Sequence, residues 1–200
     1  MPAAFVKFAA GWRRLHPDWE YRLWGEDDVA SLSLHNRDLY DRAEELCPNF
    51  SGQLKSDILR YELLYQFGGV WVDTDFECLK PIDELLDGVR CFAAWEIEQR
   101  VVNNAILGCE PGDRFMDFLV MGLIASVVPS RGQRPSKISG PHYLTTCYEN
   151  RACAGQLTVL PQEFFYPYAC NELDRAGEDF PESYAVHHWA NQRRLRRKPL

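Results

Sequence analysis

The stretch from Ser56 to Asp75, SDILRYELLYQFGGVWVDTD, constrains the fold more than any other part of the chain. A helical pattern runs into two glycines, an apolar strand follows at once, and it ends in Asp73-Thr74-Asp75. Side chains on a strand alternate between faces. Trp71, Asp73 and Asp75 are therefore expected on one face, with Val70, Val72 and Thr74 on the other. Two carboxylates sharing a face and a strand end repel each other unless a positive charge sits between them. A hard cation such as Mn²⁺ or Mg²⁺ takes one or two carboxylates together with phosphate oxygens. A diphosphate-bearing ligand thus suits the pair. A bare Asp-x-Asp is more often two solvated acids; its place at the end of an apolar, central strand sets this one apart.

The helix before it is expected from about Gln53 to Phe67, with Leu54, Ile58, Tyr61 and Tyr65 as one apolar stripe. Ser51 is a candidate cap, and Gly68-Gly69 is a helix stop, not a phosphate loop, because the P-loop spacing and lysine are missing. Elsewhere, Phe5–Leu15 reads as a helix, the alternating Trp19–Trp24 as a strand, and Glu26-Asp27-Asp28 as the start of a helix. Strands are expected at Val70–Asp75, Cys91–Trp95, Asn104–Leu107 and Leu157–Leu160, helices at Arg114–Val128 and His142–Glu149, and Val186–Trp189 closes the ordered part. Pro129–Ser139 reads as a flexible loop and Pro161–Pro167 as an aromatic one. Strands alternating with helices predict an α/β fold with a largely parallel sheet, as a single domain over residues 1–200. Such sheets bind ligands at the carboxyl ends of their strands.

A net charge of −7 excludes bulk attraction to nucleic acid. The exception is the cluster Arg193, Arg194, Arg196, Arg197 and Lys198, either a frayed solvated end or a peripheral contact with an anionic membrane surface. The 7 cysteines are scattered with no Cys-x-x-Cys pair, which speaks against a zinc site and for reduced thiols in a cytoplasmic protein. No apolar run resembles a signal peptide or is long enough to span a bilayer.

Asp57 and Arg60 lie three apart on one helix face. They form either a surface ion pair of small worth or a ligand-facing pair, Asp57 accepting from a ribose hydroxyl and Arg60 holding a phosphate or sugar oxygen. His187 and His188 are structural or surface residues, or else ligands, since imidazole suits Mn²⁺ better than Mg²⁺.

Ser56-Asp57, Arg60-Tyr61, Leu64-Tyr65, Gly68-Gly69 and Asp73-Thr74-Asp75 together resemble the signature of the DXD-containing, sugar-binding glycosyltransferases. That group includes yeast α-1,6-mannosyltransferases, bacterial capsular-polysaccharide transferases and the glucosylating domains of large clostridial toxins. His16–Trp24, Asn104-Ala105 with Pro111-Gly112, Gly140-Pro141 with Leu144-Thr145, Leu160–Pro167 and His187-His188-Trp189 are similar to the family's flanking segments.

The resemblance implies a GT-A-type, Rossmann-like fold and transfer of a sugar, with retention, from a UDP- or GDP-sugar to a glycan or lipid-linked acceptor. Carried over by position, Asp57 is expected on the ribose and Arg60 on the donor sugar or phosphate. Trp71 is expected near the nucleotide, Asp73 on ribose and sugar hydroxyls, Asp75 on the metal and Asn104 in the sugar or acceptor pocket. The resemblance favours His187 as a second metal or diphosphate ligand. The rival readings are a nucleotide-sugar hydrolase and a non-catalytic nucleotide- or carbohydrate-binding remnant.

Two departures bear on activity. Family members begin with an apolar strand that lines the nucleoside base, whereas here Met1 stands directly before the first helix. The expectation is a fold lacking its first strand, a fragment, or a start further upstream. The family's closing Ser-x-Trp is also missing after Trp189.

Overall fold

The structure is a computed structural model that describes residues 2–190. The basic cluster at Arg193–Lys198 lies outside the described residues. The elements are α1 (Ala3–Leu15), α2 (Glu26–Ala30), α3 (Arg37–Asp41), α4 (Ala43–Leu46), α5 (Ser51–Phe67), β1 (Gly69–Val72), β2 (Phe76–Cys78) and α6 (Asp83–Leu86). They continue as β3 (Cys91–Ile97), β4 (Val101–Cys109), α7 (Arg114–Val127), α8 (Pro135–Ile138), α9 (Pro141–Tyr148), β5 (Thr158–Leu160), α10 (Gln162–Phe165) and β6 (Ala185–His187).

The main sheet has the order β1-β4-β3-β5, and β2 pairs with β6 in a separate two-stranded ribbon. The α/β expectation holds, but the largely parallel sheet does not. β1 and β3 both run antiparallel to β4, and only β3 with β5 is parallel. The reason is connection length: β3 and β4 are joined by three residues, enough for a hairpin and far too few for a crossover. The parallel partner arrives only after α7, α8 and α9.

The sheet separates two apolar cores. On one side Ile58 and Leu64 of α5, Leu119 and Leu123 of α7 and Leu144 of α9 pack with Ala93. On the other, Trp12 of α1 packs with Phe76, Ile82, Phe165, Tyr166 and the neighbouring strand residues Phe92 and Ala94. Period-two alternation along β1 holds as expected. Trp71 packs against the first core, and Val70 and Val72 against the second.

α5 begins at Ser51, so Ser51 is its first residue rather than its cap, which is Phe50. Its middle is buried all round, Leu59, Arg60, Glu62 and Leu63 included, so the apolar stripe was too narrow a description. Gly68 closes it with φ +66°, and its N–H donates to Leu64 O at 2.8 Å. A Cβ there would stand 2.6 Å from Pro111 Cδ, so both the backbone conformation and the space require glycine.

Three further expectations change. Trp19 is a bend and the residues after it take no regular structure before α2, so Trp19–Trp24 belongs to no strand. Its alternation serves cation–π stacking instead, with the Arg13 guanidinium 4.2 Å from the Tyr21 ring centre and that of Arg22 3.8 Å from Trp24. The 129–139 segment is not simply a loop, because it contains α8, and α10 interrupts the aromatic loop at 161–167. The strand expected to reach Asp75 stops at Val72, although Asp73 N still donates to Ala105 O at 2.8 Å. Thr74 and Asp75 then form a turn, closed by Phe76 N donating to Asp73 O at 3.0 Å.

Candidate functional site

A trough of about 1050 Å³ opens beside the ends of β1 and β4. Asp57, Arg60, Trp71, Asp73, Asp75, Asn104 and His187 all line it, so the structure brings every candidate site residue to one cavity.

The turn after β1 and the end of β6 bring the acids and an imidazole together. Because Phe76 pairs with His187 across the β2–β6 ribbon, His187 arrives beside Asp75. His187 Nε2 lies 3.2 Å from Asp75 Oδ1. Ligand atoms of Asp73, Asp75 and His187 lie within 4.8 Å of one another. His188 points elsewhere: its Nε2 is 2.9 Å from Glu77 Oε2, and its ring stacks on Phe8.

Trp189 has φ +51°, rare for a residue with a side chain. That turn sends Ala190 N back to donate to Asp75 Oδ2 at 2.8 Å. Burial alone would raise the Asp75 carboxyl. The His187 imidazole beside it and the backbone N–H donors overcome this and hold it lowered, at about 2.

Arg60 is buried between the two acids. Its Nη2 lies 3.0 Å from Asp73 Oδ1 and 3.4 Å from Asp57 Oδ1. Nη1 donates to the Asn104 carbonyl, and Nε and Nη2 reach Ser56. Burial works against its charge, but Asp73 and Asp57 outweigh that and raise its pKa. Of the two alternatives for Asp57 and Arg60, the surface pair is thus excluded. The guanidinium also stands 5.4 Å from the Trp71 ring centre, and Trp71 Nε1 donates to Asp73 Oδ1 at 2.8 Å.

Asp57 accepts from Asn104 Nδ2 at 2.9 Å and from Ser139 Oγ at 2.8 Å. Burial pushes its carboxyl up against the pull of Arg60 and these two donors. Gly140 allows the approach of this segment: a Cβ there would sit 3.2 Å from Asp57 Oδ2 and 2.9 Å from Ser136 Cα. Asn104 Nδ2 also donates to Tyr61 Oη at 3.0 Å. Among the described residues no donor reaches Asp73 Oδ2 or Asn104 Oδ1, which leaves both as acceptors for a ligand.

Sequence reasoning missed Ser139, Asn103 and Glu96. Ser139 falls in the segment read as a loop. Asn103 Nδ2 donates to Glu96 Oε2 at 2.7 Å, and both residues line the trough. Burial raises the Glu96 carboxyl against the pull of Asn103 and of His187 and His142. The only signal for this pair was an acid and an amide near the ends of two strands otherwise apolar.

Two carboxylates and an imidazole form a donor set that Mn²⁺ accepts readily. His187 Nδ1 is buried and has no hydrogen-bond partner among the described residues. The site thus fits a divalent cation. Its fold also has a counterpart among solved structures: the PaToxG glycosyltransferase matches with a TM-score of 0.57 at 13% identity, over 76% of this chain and 65% of that one. The chain has a GT-A-like glycosyltransferase fold.

It belongs, through residues 2–92, to the family described as glycosyltransferase sugar-binding region containing DXD motif. Lactosylceramide 4-alpha-galactosyltransferase of Gorilla gorilla gorilla is 31% identical over 153 residues, covering 67% of this chain and 44% of that protein. Inositol phosphoceramide mannosyltransferase 3 of Schizosaccharomyces pombe is 28% identical over 112 residues, covering 54% of this chain and 30% of that protein. This chain therefore spans less than half the length of either relative. No helix among the described residues is long and apolar enough to cross a membrane.

Proposed function

We propose that this chain is a retaining, metal-dependent hexosyltransferase that moves a sugar from a UDP- or GDP-sugar to a glycan or lipid-linked acceptor. The observation that carries the reading is the convergence of Asp73, Asp75 and His187 within 4.8 Å in a trough that Arg60 also lines. Relatives named for lactosylceramide and inositol phosphoceramide favour a lipid-linked acceptor.

Asp75 and His187 would hold Mn²⁺ or Mg²⁺, with Asp73 beside them. When bound, the cation supplies a Lewis acid for the diphosphate leaving group. Asp73 Oδ2 and Asn104 Oδ1 offer acceptors to ribose and sugar hydroxyls. Arg60 spends its donors on Asp73, Asp57, Ser56 and the Asn104 carbonyl. Its role in this arrangement is to hold the acid and the amide in place and to add positive charge near the departing diphosphate. Asp57 fixes Arg60 and Asn104 from behind and keeps one lone pair of Oδ2 for a ribose hydroxyl. Trp71 orients Asp73 through its indole N–H and presents an aromatic surface near the nucleotide.

A thermal-shift panel of UDP, GDP and their sugars with Mn²⁺ tests the reading. Nucleotide with Mn²⁺ should raise Tm, and neither alone should do so to the same extent. No shift with any nucleotide–metal pair would overturn it.

A further inference from the structure

The bulge on β3 carries a carboxylate that the donor site does not use. Trp95 pairs with Val102 and Ile97 with Val101, so Glu96 has no partner across the ladder. Such bulges re-aim a side chain and recur beside functional sites. The Glu96 side chain is then fixed from β4. Ala105 N donates to Asn103 Oδ1 at 2.7 Å, which sets the amide so that Nδ2 donates to Glu96 Oε2 at 2.7 Å. Among the described residues no donor reaches Glu96 Oε1. The residue lines the same trough as Asp73 and His187 but stands outside the cluster that suits a cation.

We propose that Glu96 is an acceptor-binding residue, whose carboxylate accepts a hydrogen bond from a hydroxyl of the incoming neutral saccharide. This rests on the glycosyltransferase reading above. Charge decides between the two ends of a nucleotide sugar and its acceptor. Asp57 and Asp73 face Arg60 and Asp75 faces His187, whereas among the described residues no ion pair reaches Glu96. A carboxylate without such a partner repels a diphosphate and suits a neutral ligand. Neutral sugar hydroxyls are donors, and a hydrogen bond to an ionised acceptor is about twice as strong as one between neutral groups. Asn103 is the positioning residue: it uses one oxygen of Glu96 and leaves the other to the ligand.

The test compares wild type with Glu96→Gln and Glu96→Ala, using UDP-galactose and GDP-mannose as donors, Mn²⁺, and methyl β-lactoside and methyl α-mannoside as acceptor probes. The acceptor KM should rise about tenfold or more in Glu96→Ala. Hydrolysis of the donor by water and the Mn²⁺–UDP or Mn²⁺–GDP thermal shift should stay at wild-type values. Glu96→Gln, nearly isosteric, serves as the folding control and should show the same split. An unchanged acceptor KM in both variants overturns the assignment. So does loss of the nucleotide shift in a folded variant, which would put Glu96 in the donor site, and so does a wild type that hydrolyses donor but ignores every saccharide probe. A wild type with neither shift nor turnover has a different signature, and that result overturns the glycosyltransferase reading and this assignment with it.

Discussion

Asp75 and His187 meet at 3.2 Å although 112 positions separate them in the chain. The β2–β6 ribbon makes the meeting, through the pairing of Phe76 with His187. The Phe76 and His187 rings stack with centroids 4.8 Å apart, which fixes the imidazole's orientation as well as its position.

Replacing Asp75 by Asn should abolish the Tm rise that Mn²⁺ and a nucleoside diphosphate produce together. His187→Gln should weaken Mn²⁺ binding by about tenfold or more, since even residues that only support a metal ligand cost 10–100-fold when changed. Titration calorimetry with Mn²⁺ in the presence of UDP or GDP checks both. Unchanged affinity in Asp75→Asn removes it from the metal site.

Arg60 is enclosed by charge on both sides. Arg60→Ala leaves Asp57 and Asp73 buried or half-buried without their cation, and should cost about 3–5 kcal/mol of stability. Arg60→Lys keeps the charge but not the planar fork that reaches Asp73, Asp57 and the Asn104 carbonyl at once. It should fold with reduced nucleotide affinity. Urea unfolding and thermal shift separate the two effects.

Glu62 is a second buried acid on α5, remote in function from the trough. It accepts from His35 N at 2.9 Å, Asn36 N at 2.7 Å and Asn36 Nδ2 at 2.9 Å. Glu62→Ala strands these donors and should destabilise by roughly 3 kcal/mol. Nucleotide binding at temperatures where the variant remains folded should be unchanged. A variant as stable as wild type in urea would refute the assigned role.

Gly68→Ala should destabilise by more than about 1 kcal/mol, because a left-handed backbone and the contact with Pro111 both oppose a methyl group. A lowered urea midpoint is the expected result. The neighbouring Gly69 also has positive φ, but no atom lies within 4 Å of a Cβ there, so Gly69→Ala should cost less. Equal costs would place the penalty in the backbone alone.

Much of this site was readable because its residues are close in sequence. Asp57 and Arg60 share a helix face by spacing, and Asp73 follows from strand alternation after a glycine stop, whereas Asp75 reaches the site through the turn after β1. His187 required the family pattern, since no local spacing links it to Asp75. The sheet direction was not readable, because alternation reports which face a residue takes and not which strand lies beside it. Trp19–Trp24 shows the same limit: its alternation arises from arginines stacking on aromatic rings. Glu96 was hidden because a bulge breaks the period-two rule at that very residue. Ser139 was hidden by the composition of its segment, since glycine, proline and basic residues mark a loop whether or not its end is pinned to a buried acid.

The positive φ at Trp189 gives residues 187–190 a dual task. One side chain and one amide from this short run meet the two oxygens of Asp75. A chain cut before Ala185 would retain the sheet order β1-β4-β3-β5, which owes nothing to β6. It would keep Asp73 and Asp75 as a bare acid pair, without the imidazole or the Ala190 amide. Cation affinity would then serve as an assay of whether the last strand has docked, and protection of residues 185–190 from proteases should rise with metal occupancy.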